Sequence, residues 1–315
     1  MEHIDKKMFA GELSASDCVI AEQKDTVNEN VEYRFNVKSD SVMKDLQLDN
    51  PLAVNYGEKN ADFTYGEIIK TGYYSTTCEK ERNVIILTPE NYSKEKKYPV
   101  CYVLHGIFGD ETSMIGDGEN GIRIISGNMM RQNKMKETIL VFPYMFASKT
   151  KDVCDAISVE NAEAYDNFVN DLTNDLMPFI EKNFSVATGR ENTAVIGFSM
   201  GGRESLAIGN AKSELFGYIG AISPAPGLTP GQDWAMLHPG QFKEEELNFS
   251  GDYTPLLLMI CCGDKDSVVG EFPKSYHAIL ERNDVEHYWW EIAGSDHGDP
   301  AITNGLVNFF KTIFV

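Results

Sequence analysis

The sequence predicts an α/β fold in which helices cover both faces of a mostly parallel central sheet. From about residue 62, apolar runs of strand length alternate with segments of helical periodicity, which is the pattern of strand–helix–strand units. Several runs are continuously apolar, as in central strands buried on both faces. The 315 residues, 42% of them hydrophobic, suffice for one large domain or two small ones.

The strands are predicted from apolar runs, and the helices from apolar residues that recur at helical spacing. Strands are predicted at residues 31–37, 83–87, 100–104, 138–142, 193–198, 218–222, 255–262 and 287–292. Helices are predicted between them, at residues 164–184, 200–212, 272–282 and 301–314.

Two segments depart from this alternation. Residues 1–61 are polar, and we interpret them as an N-terminal extension, partly ordered at best, before a main domain at residues 62–315. Residues 223–254 are rich in proline, glycine and polar side chains and follow the end of a predicted strand. So long a stretch without periodicity is usually functional or disordered. It is therefore a candidate lid over a ligand site, with a plain surface excursion as the alternative.

Charge and composition disfavour several kinds of partner. The formal net charge of −20 argues against nucleic acid and anionic membranes, which would repel such a surface. No apolar run approaches the roughly 20 residues of a membrane-spanning helix. The first residues lack the apolar segment of a signal peptide, so we expect a cytoplasmic protein, or a secreted one if a signal has been removed. The six cysteines form no C-x-x-C pair, so no metal is expected.

One predicted strand–helix junction carries the motif Gly197-Phe198-Ser199-Met200-Gly201. Ser199 falls at the sharp turn, where glycines are needed because larger side chains would collide with neighbouring backbone. The motif is typical of the nucleophile elbow of α/β-hydrolases. Alone, it fits equally well a glycine-rich connection whose serine caps the helix.

A serine nucleophile needs a base to accept its proton, and the chain has six histidines. His297 lies in the loop after the last predicted strand, at the same edge of the sheet as Ser199, and is the candidate base. The others lie in the N-terminal segment, in the loop after the strand at 100–104, in the candidate lid, in a helix and at the start of a strand; they are His3, His105, His238, His277 and His287.

The acid that orients the base should lie between the serine and the histidine in the chain. Asp264 and Asp266 follow the penultimate strand, and Asp296 adjoins His297. Asp296 is poorly placed, because neighbouring side chains in an extended loop point in different directions. Asp264 directly follows the strand and is expected to serve the turn. Asp266 lies further along, where the loop can reach the histidine loop, and is favoured.

An ester hydrolase also needs two backbone N–H groups for the negative charge that develops on the substrate. Met200, after the nucleophile, is expected to supply one. The other is expected from Ile107, in the loop His105-Gly106-Ile107 after the strand at 100–104. His105 is expected to hold this loop rather than to reach the serine.

Together these stretches resemble carbohydrate esterase family 1, the esterase D-like group that includes bacterial feruloyl esterases and acetylxylan esterases. The resemblance covers roughly residues 65–313 and rests on stretches at 72–75, 80–84, 98–111, 170–172, 179–184, 197–202 and 262–269. The loop at 298–302 lacks the aromatic residue often seen there in the family.

The resemblance implies an α/β-hydrolase fold that hydrolyses ester decorations of plant polysaccharide without a metal or other cofactor. It implies Ser199 as nucleophile, Asp266 as acid and His297 as base. It also implies Ile107 and Met200 as the donors of the oxyanion hole.

The sequence therefore predicts a serine esterase that removes feruloyl groups from plant cell-wall polysaccharide through an acyl-enzyme. Acetylxylan deacetylation, thioester hydrolysis and acyl transfer are the alternatives, and a complete set of catalytic residues disfavours a non-catalytic binding module. The expected partner is an acylated polysaccharide or oligosaccharide. Trp234 in the candidate lid is expected to bind it, because an indole ring suits stacking on a sugar or phenolic ring. His238 or Leu237 could lie nearby.

Overall fold

A computed structural model describes residues 34–36 as backbone, and residues 56–116, 121–249 and 253–315 in full. In this part of the chain, nine strands form one sheet and two form a separate hairpin. The strands are β1 Arg34–Asn36, β2 Ile68–Ser75, β3 Lys80–Leu87, β4 Val100–Leu104, β5 Ile139–Pro143, β6 Thr193–Phe198, β7 Tyr218–Ile222, β8 Gly231–Gln232, β9 Leu237–His238, β10 Leu257–Gly263 and β11 His287–Ile292.

The sheet has the order β1-β11-β10-β7-β6-β4-β5-β3-β2. Its six central strands, from β11 to β5, are parallel, whereas β1, β3 and β2 at the edges pair antiparallel. The predicted mostly parallel sheet is confirmed. Because parallel strands end at one edge, β4, β6, β10 and β11 bring their following loops to the same side.

The helices lie between the strands, as predicted, but with different bounds. They are α1 Ile122–Arg131, α2 Val159–Asp166, α3 Phe168–Asp171, α4 Met177–Asn183, α5 Met200–Ala211, α6 Phe272–Arg282 and α7 Ala301–Thr312, with a π-helical turn at Leu172–Leu176. The helix predicted at 164–184 is observed as a nearly continuous helical region, which a break at Asn167 and a π turn divide into α2, α3 and α4. Pro178 at the start of α4 cannot donate a helical hydrogen bond.

The core lies on both faces of the sheet. Ala194 and Ile196 of β6 belong to one buried cluster, which includes Phe309 of α7, while Val195 belongs to a second cluster with Leu206 of α5. Alternate residues of one strand therefore pack against helices on opposite sides, as the continuous apolar run predicted. No helix in the described ranges has the length and apolar character needed to cross a membrane.

The structure describes only a small part of the predicted N-terminal extension but most of the candidate lid. The strand predicted at 31–37 is observed at Arg34–Asn36, paired with β11; the rest of residues 1–55 lies outside the described ranges. Tyr56, the first residue described in full, is buried. The division of the chain at residues 61 and 62 stays a prediction. The candidate lid at 223–254 contains the β8–β9 hairpin and a short 3₁₀ turn at Glu244–Glu246.

Candidate active site

Ser199 occupies the turn between β6 and α5 in a conformation that side chains rarely adopt. Its φ is 56° and its ψ is −117°, and such a backbone persists only where its surroundings hold it. The Ser199 N–H donates to the carbonyl of Ile222 at 2.9 Å, and the Ser199 carbonyl accepts from the N–H of Ala225 at 2.9 Å and of Arg203 at 3.0 Å. These hydrogen bonds tie the turn to the end of β7 and to the first turn of α5.

Steric contacts explain why the motif requires glycines at positions 197 and 201. A Cβ on Gly197 would lie 2.3 Å from the carbonyl oxygen of Gly201, and a Cβ on Gly201 would lie 2.4 Å from that of Leu104. The start of α5 therefore lies against the end of β4. The Ser199 side chain makes no capping hydrogen bond to the helix, so the alternative of a helix-capping serine does not describe this turn.

The structure brings Ser199, His297 and Asp266 into one hydrogen-bonded row. The Nε2 atom of His297 lies 3.0 Å from Ser199 Oγ, and its Nδ1 atom lies 2.8 and 3.0 Å from the two carboxylate oxygens of Asp266. A carboxylate can only accept, so Nδ1 carries the ring hydrogen and Nε2 is left to accept from the serine hydroxyl. All three residues are buried, which strengthens these interactions.

Backbone contacts fix the orientation of this row. The Asp266 carboxylate accepts the N–H groups of Val268 and Val269, each at 3.1 Å. The ring of His297 packs on that of Phe198, with centroids 4.6 Å apart. Both partners of Ser199 are therefore held by the loops and strand ends that surround them.

The other two candidate acids connect loops instead of contacting the imidazole. Asp264 accepts the N–H of Gly294 at 2.7 Å. Asp296 accepts the N–H groups of Ser267 and His297, both at 2.8 Å. The hydrogen bond from the Ser267 backbone is the main reason why the pKa of Asp296 lies below its ordinary value. Both carboxylates therefore join the Asp266 loop to the histidine loop.

The two expected oxyanion donors lie where α5 meets the end of β4. A Cβ on Gly201 would also lie 2.7 Å from the carbonyl oxygen of His105, so the loop with Ile107 adjoins the turn that carries Met200. Among the described residues, neither the Ile107 N–H nor the Met200 N–H has a hydrogen-bond acceptor. Neither N–H is therefore occupied by a protein acceptor there, and that of Met200 lies at the positive, N-terminal end of α5.

His105 holds the loop that contains Ile107. Its Nε2 accepts the N–H of Met145 at 3.0 Å, so its Nδ1 carries the hydrogen and donates to the carbonyl of Gly106 at 2.7 Å. Burial lowers the pKa of His105 to about 4, so the ring is neutral at ordinary pH. This geometry agrees with the holding role expected from the sequence.

Arg82 is a buried residue that holds the segment next to His105, and it was not among the residues predicted for the site. It lies in β3, is 5% exposed, and donates to the carbonyls of Tyr144 and Phe146. These residues flank Met145, the partner of His105. Arg82 also pairs with Asp171 at 3.1 Å. No sequence signal singled it out, because Arg82 falls just before the strand predicted at 83–87 and only the observed β3, which begins at Lys80, includes it.

Trp234 lies at the tip of the β8–β9 hairpin and is 59% exposed. Its indole N–H lies 3.4 Å from the carbonyl of Val268, two residues after Asp266. The hairpin tip therefore sits beside the loop that carries the candidate acid. In the same hairpin Leu237 is exposed and His238 is buried. No group of three or more potential metal ligands occurs among the described residues.

The fold and this site define a serine hydrolase of the α/β-hydrolase class, and comparisons with known proteins identify the family. The family model Esterase, described as "Putative esterase", matches residues 75–300. A CE1 ferulic acid esterase from Anaeromyces mucronatus, solved in complex with ferulic acid, is 43% identical with a TM-score of 0.81. The alignment covers 85% of this chain and 98% of that one. The chain therefore belongs to carbohydrate esterase family 1 and is a carboxylic ester hydrolase.

Two further relatives are more distant. An endo-1,4-β-xylanase/feruloyl esterase of Xylanibacter ruminicola is 28% identical over 69% of this chain, which spans only 27% of that protein. A feruloyl esterase module from Clostridium thermocellum, solved with sinapinate, is 16% identical with a TM-score of 0.63, over 90% of this chain and 96% of that one. At that identity the second likeness supports the fold alone.

Proposed function

We propose that this chain is a feruloyl esterase that uses Ser199, His297 and Asp266 to release hydroxycinnamates from plant polysaccharide. The observation that carries the proposal is the unbroken row of hydrogen bonds from Asp266 through His297 to Ser199. Membership in the family of a ferulic acid esterase bound to ferulic acid supports the feruloyl group that the sequence predicts.

In the first half of the reaction, Ser199 Oγ attacks the ester carbonyl while His297 Nε2 accepts the hydroxyl proton. Asp266 stabilises the imidazolium that forms. The carbonyl oxygen becomes an oxyanion and receives hydrogen bonds from the N–H groups of Ile107 and Met200. The C–O bond to the sugar then breaks, the sugar oxygen takes the proton from His297, and the acyl group remains on Ser199.

In the second half, water replaces the sugar. His297 accepts a proton from the water as its oxygen attacks the acyl carbonyl, and the same two N–H groups stabilise the second oxyanion. Collapse of this intermediate breaks the bond to Ser199 Oγ, which recovers its proton from His297. The acid is released, and the enzyme returns to its starting state with no net change of charge.

The function is tested by comparing methyl ferulate with methyl acetate, which differ only in the acyl group. We expect kcat/KM to be more than about tenfold higher for the ferulate, since a site that binds the phenolic ring lowers the barrier by at least ~1.4 kcal/mol. A fluorophosphonate should label Ser199. Equal rates, or a preference for acetate, would favour an acetyl esterase, and absence of labelling would contradict a serine mechanism.

Trp234 supplies a second prediction, because its exposed indole adjoins the Asp266 loop. Trp234→Ala should raise KM for a feruloylated oligosaccharide about three- to tenfold, as expected for the loss of one aromatic contact of ~0.5–1.5 kcal/mol. The turnover of p-nitrophenyl acetate should change less than about twofold. Tyr74→Ala is the matched control, because Tyr74 is 57% exposed on the edge strand β2. Equal effects on all substrates would place the hairpin away from the substrate.

A further inference from the structure

A buried polar cluster lies directly behind the candidate nucleophile. We call it the Arg203 cluster; it consists of Arg203 and Glu204 in the first turns of α5, Asp166 at the end of α2, and Gln241. Arg203 is 1% exposed and Glu204 is fully buried. Burying charged groups costs free energy unless they are paired and hydrogen-bonded. The proposed mechanism assigns no step to any of these four side chains, so it does not account for them.

The hydrogen bonds of the cluster form a closed network. Arg203 Nε donates to Glu204 Oε1 at 2.8 Å, and its Nη2 pairs with Asp166. The Gln241 amide donates to Asp166 Oδ1 at 2.9 Å and to Glu204 Oε1 at 3.1 Å. A single neutral amide therefore bridges two carboxyl groups that share one guanidinium.

This network connects the helix after Ser199 to both sides of the β8–β9 hairpin. Before the hairpin, the carbonyl of Pro226 accepts from Arg203 Nη1 at 3.4 Å. After it, Gln241 bonds to the cluster through its side chain, while its backbone N–H donates to the carbonyls of Gly227 and Leu228 at 3.2 and 3.0 Å. The two ends of the hairpin thus meet each other, and both meet α5, at the same buried point.

We propose that the Arg203 cluster positions the hairpin: it fixes the base of β8–β9 to α5, so that Trp234 keeps its place beside the loop that carries Asp266. The proposal rests on the proposed function, because it assigns the hairpin to substrate binding. The cluster members are positioning residues, since they act through Trp234. Their effect is therefore expected on KM for large substrates and not on the chemical step.

The charge balance of the cluster offers a way to test it. Burial raises the pKa of Glu204 to about 7, with Arg203 opposing the shift and Asp166 adding to it. Burial also raises the pKa of Asp166, although Arg203 opposes the shift. The other groups that face the cluster are Glu163 of α2, Tyr276 of α6 and His238 of the hairpin. A third carboxylate at position 241 would have to share the guanidinium of Arg203 with Glu204 and Asp166, and repulsion would open the contact.

The test is Gln241→Glu, a change of nearly the same shape at a half-buried side chain. At pH 8 we expect amide hydrogen exchange in residues 231–238 to be at least about tenfold faster than in the wild type, and KM for a feruloylated oligosaccharide to be about fivefold higher. Turnover of p-nitrophenyl acetate should stay within about twofold. At pH 5 Glu204, whose pKa is about 7, is protonated, so the repulsion is weaker and both ratios to the wild type should fall back toward one.

The matched control is Gln132→Glu, the same change at an exposed position at the end of α1, outside the hairpin, which should alter neither ratio. Gln241→Met removes the amide donor without adding charge, so it should speed amide exchange at both pH values. This variant tests the proposal if Gln241→Glu does not fold. The proposal would be overturned if amide exchange in residues 231–238 kept the wild-type rate in both Gln241 variants. It would also be overturned if exchange became faster while KM stayed unchanged. A wild-type enzyme inactive on the feruloylated substrate would contradict the proposed function, while the exchange ratios would still decide whether the cluster fixes the hairpin.

Discussion

Ser199→Ala is expected to yield a folded protein whose kcat on methyl ferulate is lower by several orders of magnitude. The residues of a catalytic row act as a unit, so loss of the nucleophile removes the acyl-enzyme route altogether. The fold should tolerate the change, because the backbone hydrogen bonds of the turn to Ile222, Ala225 and Arg203 do not involve the hydroxyl. Steady-state kinetics and thermal unfolding measure the two effects.

The control for this variant is Ser223→Ala. Ser223 also follows a central strand with a positive φ, of 46°, and among the described residues its buried hydroxyl has no hydrogen-bond partner. We expect activity within about threefold of the wild type, because nothing in the proposed reaction uses this hydroxyl. Fluorophosphonate labelling should persist in Ser223→Ala and vanish in Ser199→Ala. Retention of more than about a tenth of wild-type turnover in Ser199→Ala would contradict the proposed mechanism.

The central sheet could be predicted from the sequence because its signals are local. The runs at 193–198, 218–222 and 287–292 are predominantly apolar or aromatic, and the observed strands have the same bounds. β2 was missed because it lies at the edge of the sheet, where six of its eight residues are exposed or partly exposed and include Lys70 and Gly72. α1 was missed because it is short, contains Gly127 and begins without a capping side chain.

The residues of the site also differ in whether a local sequence pattern reveals them. Ser199 and His297 stand out because each follows a strand in a recognisable local pattern, and chain order then limits the acid to a few residues. The Arg203 cluster could not be predicted, because Asp166, Arg203 and Gln241 are far apart in the chain and meet only through the packing of α2, α5 and the hairpin. No local pattern in the sequence predicts contacts between residues so far apart in the chain. Its importance is visible only from the burial and hydrogen bonds of its members.

The second large effect is expected from Asp266→Asn, which should lower kcat by up to roughly 10⁴-fold while the fold persists. The reason lies in how the amide must orient. Asp266 Oδ1 accepts the N–H groups of Val268 and Val269, so the amide oxygen should take that position. The NH₂ group would then face His297 Nδ1 and donate to it. The ring hydrogen would move to Nε2, which could no longer accept the proton of Ser199.

Asp264→Asn is the matched comparison, because it makes the same change two residues away in the same loop. Among the described residues, the Gly294 N–H is the only group that donates a hydrogen bond to the Asp264 carboxylate. An amide oxygen can still accept that bond. We therefore expect a loss in kcat of less than about tenfold. Both variants should melt near the wild-type temperature. If Asp264→Asn proved the more impaired of the two at equal thermal stability, the orientation of the imidazole would depend on the link between the two loops, and the role proposed for Asp266 would be wrong.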